Sequence, residues 1–282
     1  MTAYHRPRSL EEAVAIRAAG PVAVIAGGTD IYPSRAARAA WGDPTHADVL
    51  DITAIPGLDS VEETAGGWRI GPLVTWSRIA RDTALPPIFD GLRAAAREVG
   101  GVQVQNRGTV VGNLCTASPA GDGIPNLLAL DAQVELASRT GRRVLPLAQF
   151  LTGYRATALR PEELVTALLV PRLDGARGGF AKLGARRYLV ISIAMAAGVV
   201  ATDTAGRVTA ARVAVGACSA VAQRLPALEA ALEGVRLAEA ARVPSAAHLA
   251  ALSPIDDIRA SAAYRRDAAL TLLRDLLEGL AA

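Results

Sequence analysis

The amino-acid sequence predicts an α+β fold in two domains, on three observations. The chain opens with a helix, strand, glycine loop, helix pattern; strand and helix signals separated by turn residues follow through the middle; and beyond "RLDGARGG" at 172–179 the strands come first and the helices last. A chain of 282 residues is long for one compact core, so each part is expected to bury its own apolar set. The implied boundaries are 1–173, with two α/β subdomains of about 1–53 and 54–173, and then 174–282, an antiparallel sheet plus helices.

Each element has a local reason. Ser9 and Glu12 form an S-x-x-E capping box ahead of an alanine-rich helix that Gly20 closes, and "VAVIA" at 22–26 reads as a buried strand. That strand runs into "AGGTDI", after which "RAARAA" reads as helix. "DVLDIT" at 48–53 is a further strand, and 59–73 is a hairpin turning at Gly66 and Gly67. Helical patterns return at 75–82 and 90–99. The segment 100–126 has the composition of a long loop, and loops of that length in compact domains are usually functional. "AQVELAS" and "RRVLPL" pair around Thr140 and Gly141, and "ELVTALLVP" is another strand. In the second domain "FAKLG", "SIAMAAGVVATD" and "RVTAARVAVGAC" make an antiparallel sheet with a turn near Asp203 to Gly206. Helices are expected at 223–234, 245–252 and 261–280, the last with Leu270, Leu273, Leu276, Leu277 and Leu280 on one face.

Composition excludes several functions. The formal charge of +3 is spread along the chain with no arginine cluster interleaved with aromatics, which argues against a nucleic-acid binder. The two cysteines, Cys115 and Cys218, suit a reducing compartment and cannot supply an iron–sulfur cluster or a cysteine zinc site. The opening "MTAYHRPRSLEEA" shows no secretory h-region. The longest apolar run, "YLVISIAMAAGVVA", is shorter than the ~20 residues of a bilayer span, so a cytoplasmic protein without membrane contact is the expectation. A Walker loop needs Gly-Lys, yet the only lysine is Lys182, followed by Leu183. "GDGIPN" is no Rossmann fingerprint, and His5, His46 and His248 sit in unrelated segments without a zinc or Ser-His-Asp pattern, so neither metal ligands nor catalytic residues are assigned.

What remains is two glycine-bearing polar loops, "AGGTD" and "GTVVGNLCTASPAGD", each able to present backbone N–H groups to an anion. Facing each other, they would hold a dinucleotide, with Gly27, Gly28 and Thr29 on phosphates and Asn113, Ser118 and Asp122 along a sugar or ribityl chain. Taken alone, Gly-Gly-Thr-Asp is more often a tight turn with a polar cap than a ligand site. Asp30 reads equally as a cap for the following helix. Lys182 is either a surface lysine or the one cation retained as a compact ammonium for a reason. Arg186 and Arg187 read as a solvated or interface pair, and Cys115 as packed rather than reactive.

Together these segments resemble the FAD-binding medium subunit of the molybdenum hydroxylases, the xanthine dehydrogenase and carbon monoxide dehydrogenase group. The resemblance rests on "VIAGGTDI" at 24–31, "NRGTVVGNLCTASPAGDGIPNLLALDAQVEL" at 106–136 and "FAKLGARRYLVISIAMAA" at 180–197, in matching order and spacing over nearly the whole chain. It implies an FAD-binding domain of the vanillyl-alcohol oxidase type, followed by a domain like the carbon monoxide dehydrogenase flavoprotein C-terminal domain. By the same resemblance Val24, Ile25, Ala26, Gly27, Gly28, Thr29, Asp30 and Ile31 wrap the FAD pyrophosphate. Thr109, Gly112, Asn113, Thr116, Ser118 and Asp122 follow the cofactor toward its ring, with Val165 and Lys182 near the flavin.

The resemblance implies partners as well. A molybdenum-cofactor large subunit would oxidise the substrate, a small subunit with two [2Fe-2S] clusters would carry the electrons, and this chain's FAD would pass them to NAD+ or another acceptor. Lys182 at the pyrimidine edge would then raise the flavin potential. One departure stands out: the family's Gly-Gly-Asn is Val111-Gly112-Asn113 here, so a side chain either narrows the phosphate approach or faces away. A self-sufficient flavin reductase or oxidase of the same fold, and a flavin-free assembly scaffold, are the alternatives.

Overall fold

The computed structural model describes residues 3–43 and 46–282. The first layer is a three-stranded parallel sheet, in the order β1 (Tyr4–His5), β3 (Asp48–Asp51), β2 (Val22–Ile25). Helix α1 (Leu10–Ala19) connects β1 to β2, and α2 (Ile31–Ala40) leads toward β3. The capping box forms in shifted form. Ser9 Oγ accepts from Glu12 N at 3.1 Å, while the Glu12 carboxylate accepts from Arg8 N at 3.0 Å rather than from Ser9. Ala13, Val14, Leu50, Ile52 and Ile55 form a small core here, completed by Ala137 and Leu164 of the next sheet. Helix α2 buries none of its residues.

The second layer is an antiparallel sheet in the order β4-β5-β10-β6-β7. Its members are β4 (Val61–Thr64), β5 (Gly67–Ile70), β6 (Gln133–Ser138), β7 (Gly141–Pro146) and β10 (Leu164–Pro171), with the short hairpin β8 (Leu151–Gly153) and β9 (Ala156–Thr157) beside them. Helices α3 (Trp76–Arg81) and α4 (Asp90–Glu98) occupy the expected places. The expected long loop is different: 102–129 contains α5 (Val102–Arg107), α6 (Val110–Thr116) and α7 (Gly123–Ala129), and α8 (Leu147–Phe150) comes after β7. Six- and seven-residue helices carry too few turns for a periodic apolar pattern, and their Gly, Asn and Pro content reads as loop. Tertiary packing supplies what propensity lacks, since all seven residues of α7 are buried.

The third layer is the antiparallel sheet β11 (Arg177–Leu183), β12 (Ala194–Thr202), β13 (Val208–Gly216) and β14 (Gln223–Arg224). β12 is buried on both faces, which is why "AMAAGVVA" shows no polar alternation. Ala194, Ala196 and Val200 face α10 (Ala262–Ala281) and its Leu273, Leu276, Leu277 and Leu280, while Ala197, Val199 and Ala201 join the core of the second layer. The expected helix at 223–234 starts only at α9 (Pro226–Leu232), because 223–224 pair with β13, and 245–252 holds a single 3₁₀ segment, Ala246–Leu249.

Two carboxylates in ion pairs make this packing sensitive to acid. Glu163 accepts from Arg143 Nε at 2.6 Å, from Arg143 Nη2 at 2.7 Å and from Arg160 N at 2.8 Å, and the Arg143 bond holds its carboxyl below the ordinary range. Asp257 is held down to about 2, first by the Arg259 N–H and then by Arg265, against the opposing effect of desolvation. A depressed carboxyl contributes stability that is complete above its unfolded pKa, ~4, and lost as pH falls through the folded value. Thermal melts should therefore hold level down to pH ~5 and decline below pH ~4. Glu163→Gln, whose residue has no charge to lose, should lower the melting temperature at pH 7 and flatten that acid decline; an unchanged acid limb would refute the assignment.

Candidate functional site

β2 ends at Ile25 and releases the chain into Ala26-Gly27-Gly28-Thr29-Asp30. A Cβ on Gly27 would stand 2.0 Å from the Arg107 carbonyl oxygen and 2.9 Å from Gly108 Cα. Gly28 has φ +74°, and a Cβ there would meet the Tyr32 ring at 2.7 Å. Gly27 is thus required by the protein itself, because bare it lets the loop before α2 lie directly on the α5–α6 junction, while Gly28 supplies the left-handed turn under Tyr32. Among the described residues, the N–H groups of Gly27, Gly28, Thr29 and Asp30 have no protein acceptor. Four consecutive free donors make a site for an anion.

The opposite wall comes from α6. Thr109 Oγ1 caps it by accepting from Gly112 N at 2.9 Å, and a Cβ on Gly112 would press within 2.8 Å of that oxygen. Asn113 lines the space between the walls, and its Oδ1 is buried with no hydrogen-bond partner. That atom rests over the Gly121 and Gly123 backbone, where Cβ atoms would come to 3.2 and 3.1 Å of it. An unsatisfied buried acceptor costs stability unless a ligand donates to it.

Between the walls lies a cleft of about 410 Å³. It gathers Val24, Ala26, Gly27, Gly28, Thr29, Asp30 and Ile31 with Thr109, Gly112, Asn113, Thr116 and Val165. Four of the expected residues stand elsewhere. Ile25 points into the protein, 4% exposed, Ser118 turns its hydroxyl to Ala120 N, and Asp122 and Lys182 form a buried pair behind the cleft. Sequence reasoning missed the apolar walls, Ile52, Pro72, Trp76, Val99, Val104, Leu159 and Leu164, together with Gly108. Nothing in one sequence distinguishes an apolar cleft wall from core, although Trp76 directly after the capping Thr75 is a fixed point, since Gly123 must be bare beneath its ring.

Lys182 Nζ lies 2.6 Å from Asp122 Oδ2, and both side chains are 7% exposed, so the surface reading of Lys182 does not hold. Ser192 donates to Asp122 Oδ1 at 2.6 Å. Burial pushes the Asp122 carboxyl up, against the pull of Lys182 and Ser192. Asp30 occupies the cap position of α2 but makes no side-chain cap bond. Arg186 and Arg187 are exposed, and Arg187 stacks on the Tyr188 ring at 5.3 Å. Cys115 is exposed and borders the cleft rather than packing inward, and the protein around it pushes its thiol up by desolvation. Val111 is 4% exposed, seated in the core while bordering the cleft.

Residues 1–173 match the FAD binding domain in molybdopterin dehydrogenase, and residues 180–280 match the CO dehydrogenase flavoprotein C-terminal domain. The nicotine 6-hydroxylase medium subunit of Paenarthrobacter nicotinovorans is 34% identical over 274 residues, covering 96% of this chain and 94% of that protein. The nicotinate dehydrogenase FAD-subunit of Eubacterium barkeri is 34% identical over 210 residues, covering 72% and 70%. Carbon monoxide dehydrogenase from Hydrogenophaga pseudoflava superposes with a TM-score of 0.86 at 27% identity, over 98% of this chain and 96% of that one. The row of free donors on a loop built on two glycines suits a pyrophosphate, so the residues present fit FAD. On sequence, fold and cleft together, the chain belongs to the FAD-binding medium subunits of the molybdenum hydroxylases, an oxidoreductase family.

Proposed function

We propose that this chain is the electron-passing flavoprotein subunit of a complex with a molybdenum-cofactor large subunit and a [2Fe-2S] small subunit, delivering electrons to NAD+ or another acceptor. The observation that carries the reading is the cleft where the two glycine loops meet, with free N–H donors on one wall and Thr109, Gly112 and Asn113 of the α6 segment on the other. FAD, when bound, accepts electrons singly and hands them on as a pair. The chain's own residues bind and orient it: Gly27 to Asp30 meet the phosphates, Asn113 lines the path along the sugar, and Thr109 keeps α6 in place. Trp76 and Leu164, both buried, give the cleft apolar lining.

The walls support a subunit rather than a self-sufficient oxidase. Among the described lining residues only Asp30 and Cys115 carry ionisable side chains, which leaves little acid–base chemistry for a substrate. Because the substrate meets another subunit in this reading, relatives named for nicotine and for carbon monoxide can share one flavoprotein design. No helix among the described residues is long and apolar enough to cross a membrane, and a cytoplasmic location is part of the proposal.

The test is the visible spectrum of the purified chain, with the released cofactor identified after denaturation. A flavin spectrum with about one FAD per chain is expected. A colourless chain that takes up no added FAD, alone or co-expressed with its partner subunits, would overturn the reading.

A further inference from the structure

We propose that the lobe before residue 56 is hinged at Pro56-Gly57, that FAD enters the cleft from its open form, and that bound FAD holds the lobe shut. The inference rests on the flavin reading and adds to it how the site is loaded. Strands β1, β2 and β3 pair only with one another, so no ladder joins the lobe to the other sheets. Among the described residues a single hydrogen bond crosses from the lobe to the rest of the chain, Arg17 Nε to Glu163 O at 3.4 Å. The remaining attachment is close packing: the lobe's small core meets Ala137 of β6 and Leu164 of β10, and Gly27 lies on the Arg107 carbonyl. The C-terminal domain is held differently. Lys182 and Ser192 bond to Asp122, Ala217 N donates to Pro119 O at 2.9 Å, and Ala197, Val199 and Ala201 enter the core of the second layer.

The chain passes between the lobe and the second layer at one place. On the lobe side Ile55 N donates to Ile52 O at 3.2 Å, and beyond the crossing Leu73 N donates to Leu58 O at 2.8 Å. Between these anchors Pro56 and Gly57 are exposed, and Gly57, with φ +77°, has no atom within 4 Å of where a Cβ would stand. A hinge needs only a few residues free to absorb a change of backbone angle. The lobe carries Val24 and Ala26 to Ile31 on one wall of the cleft, while Trp76, Thr109, Gly112 and Val165 belong to the other side. The cleft is thus the unfilled part of the seam, and a ligand touching both walls favours the closed form alone. A unit held by few hydrogen bonds and a small apolar seam opens at lower free energy than the whole fold.

The test is site-resolved thiol labelling of the full chain carrying Ala137→Cys in a Cys115→Ser background, whose own FAD affinity sets the ligand concentration. Ala137 is 4% exposed against the lobe, and Cys218, buried in the C-terminal core, is the internal reference. Without flavin the introduced thiol should react about a hundredfold faster than Cys218, because opening the lobe uncovers it without unfolding the chain. FAD at about 100 times its Kd should slow that reaction about a hundredfold, since only the closed form binds. Ala13→Cys, on the lobe side of the same core, should behave alike and replaces Ala137→Cys if that chain does not fold. Equal rates for the introduced thiol and Cys218, or a fast rate that bound FAD leaves unchanged, would overturn the hinge. A chain that takes up no FAD would instead overturn the proposed function, and the flavin-free rates would still decide whether the lobe opens.

Discussion

Gly27→Ala is expected to purify with little or no flavin and to bind added FAD at least about tenfold more weakly, since misplacing a preorganised wall by about an ångström costs this much or more. The new methyl would stand 2.0 Å from the Arg107 carbonyl oxygen, and backbone cannot rotate aside as a side chain can. The two loops must separate, carrying the Gly27 to Asp30 donors away from Asn113. Stability should fall as well, by about 1–3 kcal/mol for an overpacked site. Gly28→Ala is the internal control, because its clash is with the far side of the movable Tyr32 ring, although its φ of +74° still favours glycine. Flavin-to-protein absorbance and urea unfolding read both effects. A Gly27→Ala chain with full flavin content would show that the loops do not need this contact.

Lys182→Met should be the most destabilising single change in the C-terminal domain, by about 3–5 kcal/mol, because it strands the Asp122 carboxylate where 7% of its side chain is exposed. The sign of its pH dependence follows from the direction of the shift. Burial raises the Asp122 carboxyl and Lys182 opposes that, so removing Lys182 raises it further. A folded-state pKa above the unfolded one leaves the chain least penalised at low pH and increasingly so as pH rises through the folded value. Urea unfolding at pH 5 and pH 8 should therefore show the larger loss at pH 8. Adding Asp122→Leu should recover much of it, since an apolar pair replaces a buried ion pair at little cost, while the Ser192 hydroxyl left without an acceptor keeps the recovery incomplete. Equal losses at both pH values would mean that the carboxyl is not the group in question.

Local rules made much of the architecture legible. Ser9 announces α1, the Gly66-Gly67 turn announces the hairpin of β4 and β5, and the leucines at 273, 276, 277 and 280 announce the buried face of α10. These signals act over a few residues, through caps, turn geometry and side-chain period, so one sequence contains them. The two glycine loops are legible in the same way, whereas Val24, Ala26, Ile31, Thr109, Gly112, Thr116 and Val165 come into view only through the family resemblance.

The order of elements, the glycine loops and the family they point to were thus written in local patterns of residues. Only tertiary structure decided that 102–129 is helical, because helices of six and seven residues exist by burial rather than propensity. Only tertiary structure decided that Gly27 is bare because Arg107 presses on it, across 80 residues of chain. The fate of Lys182 was likewise settled at a distance: whether a lysine is a surface charge, a neighbour of the cofactor or half of a buried pair depends on which carboxylate the fold brings to it. Long-range contact carries no local signature, and that is the physical reason these decisions waited for the fold.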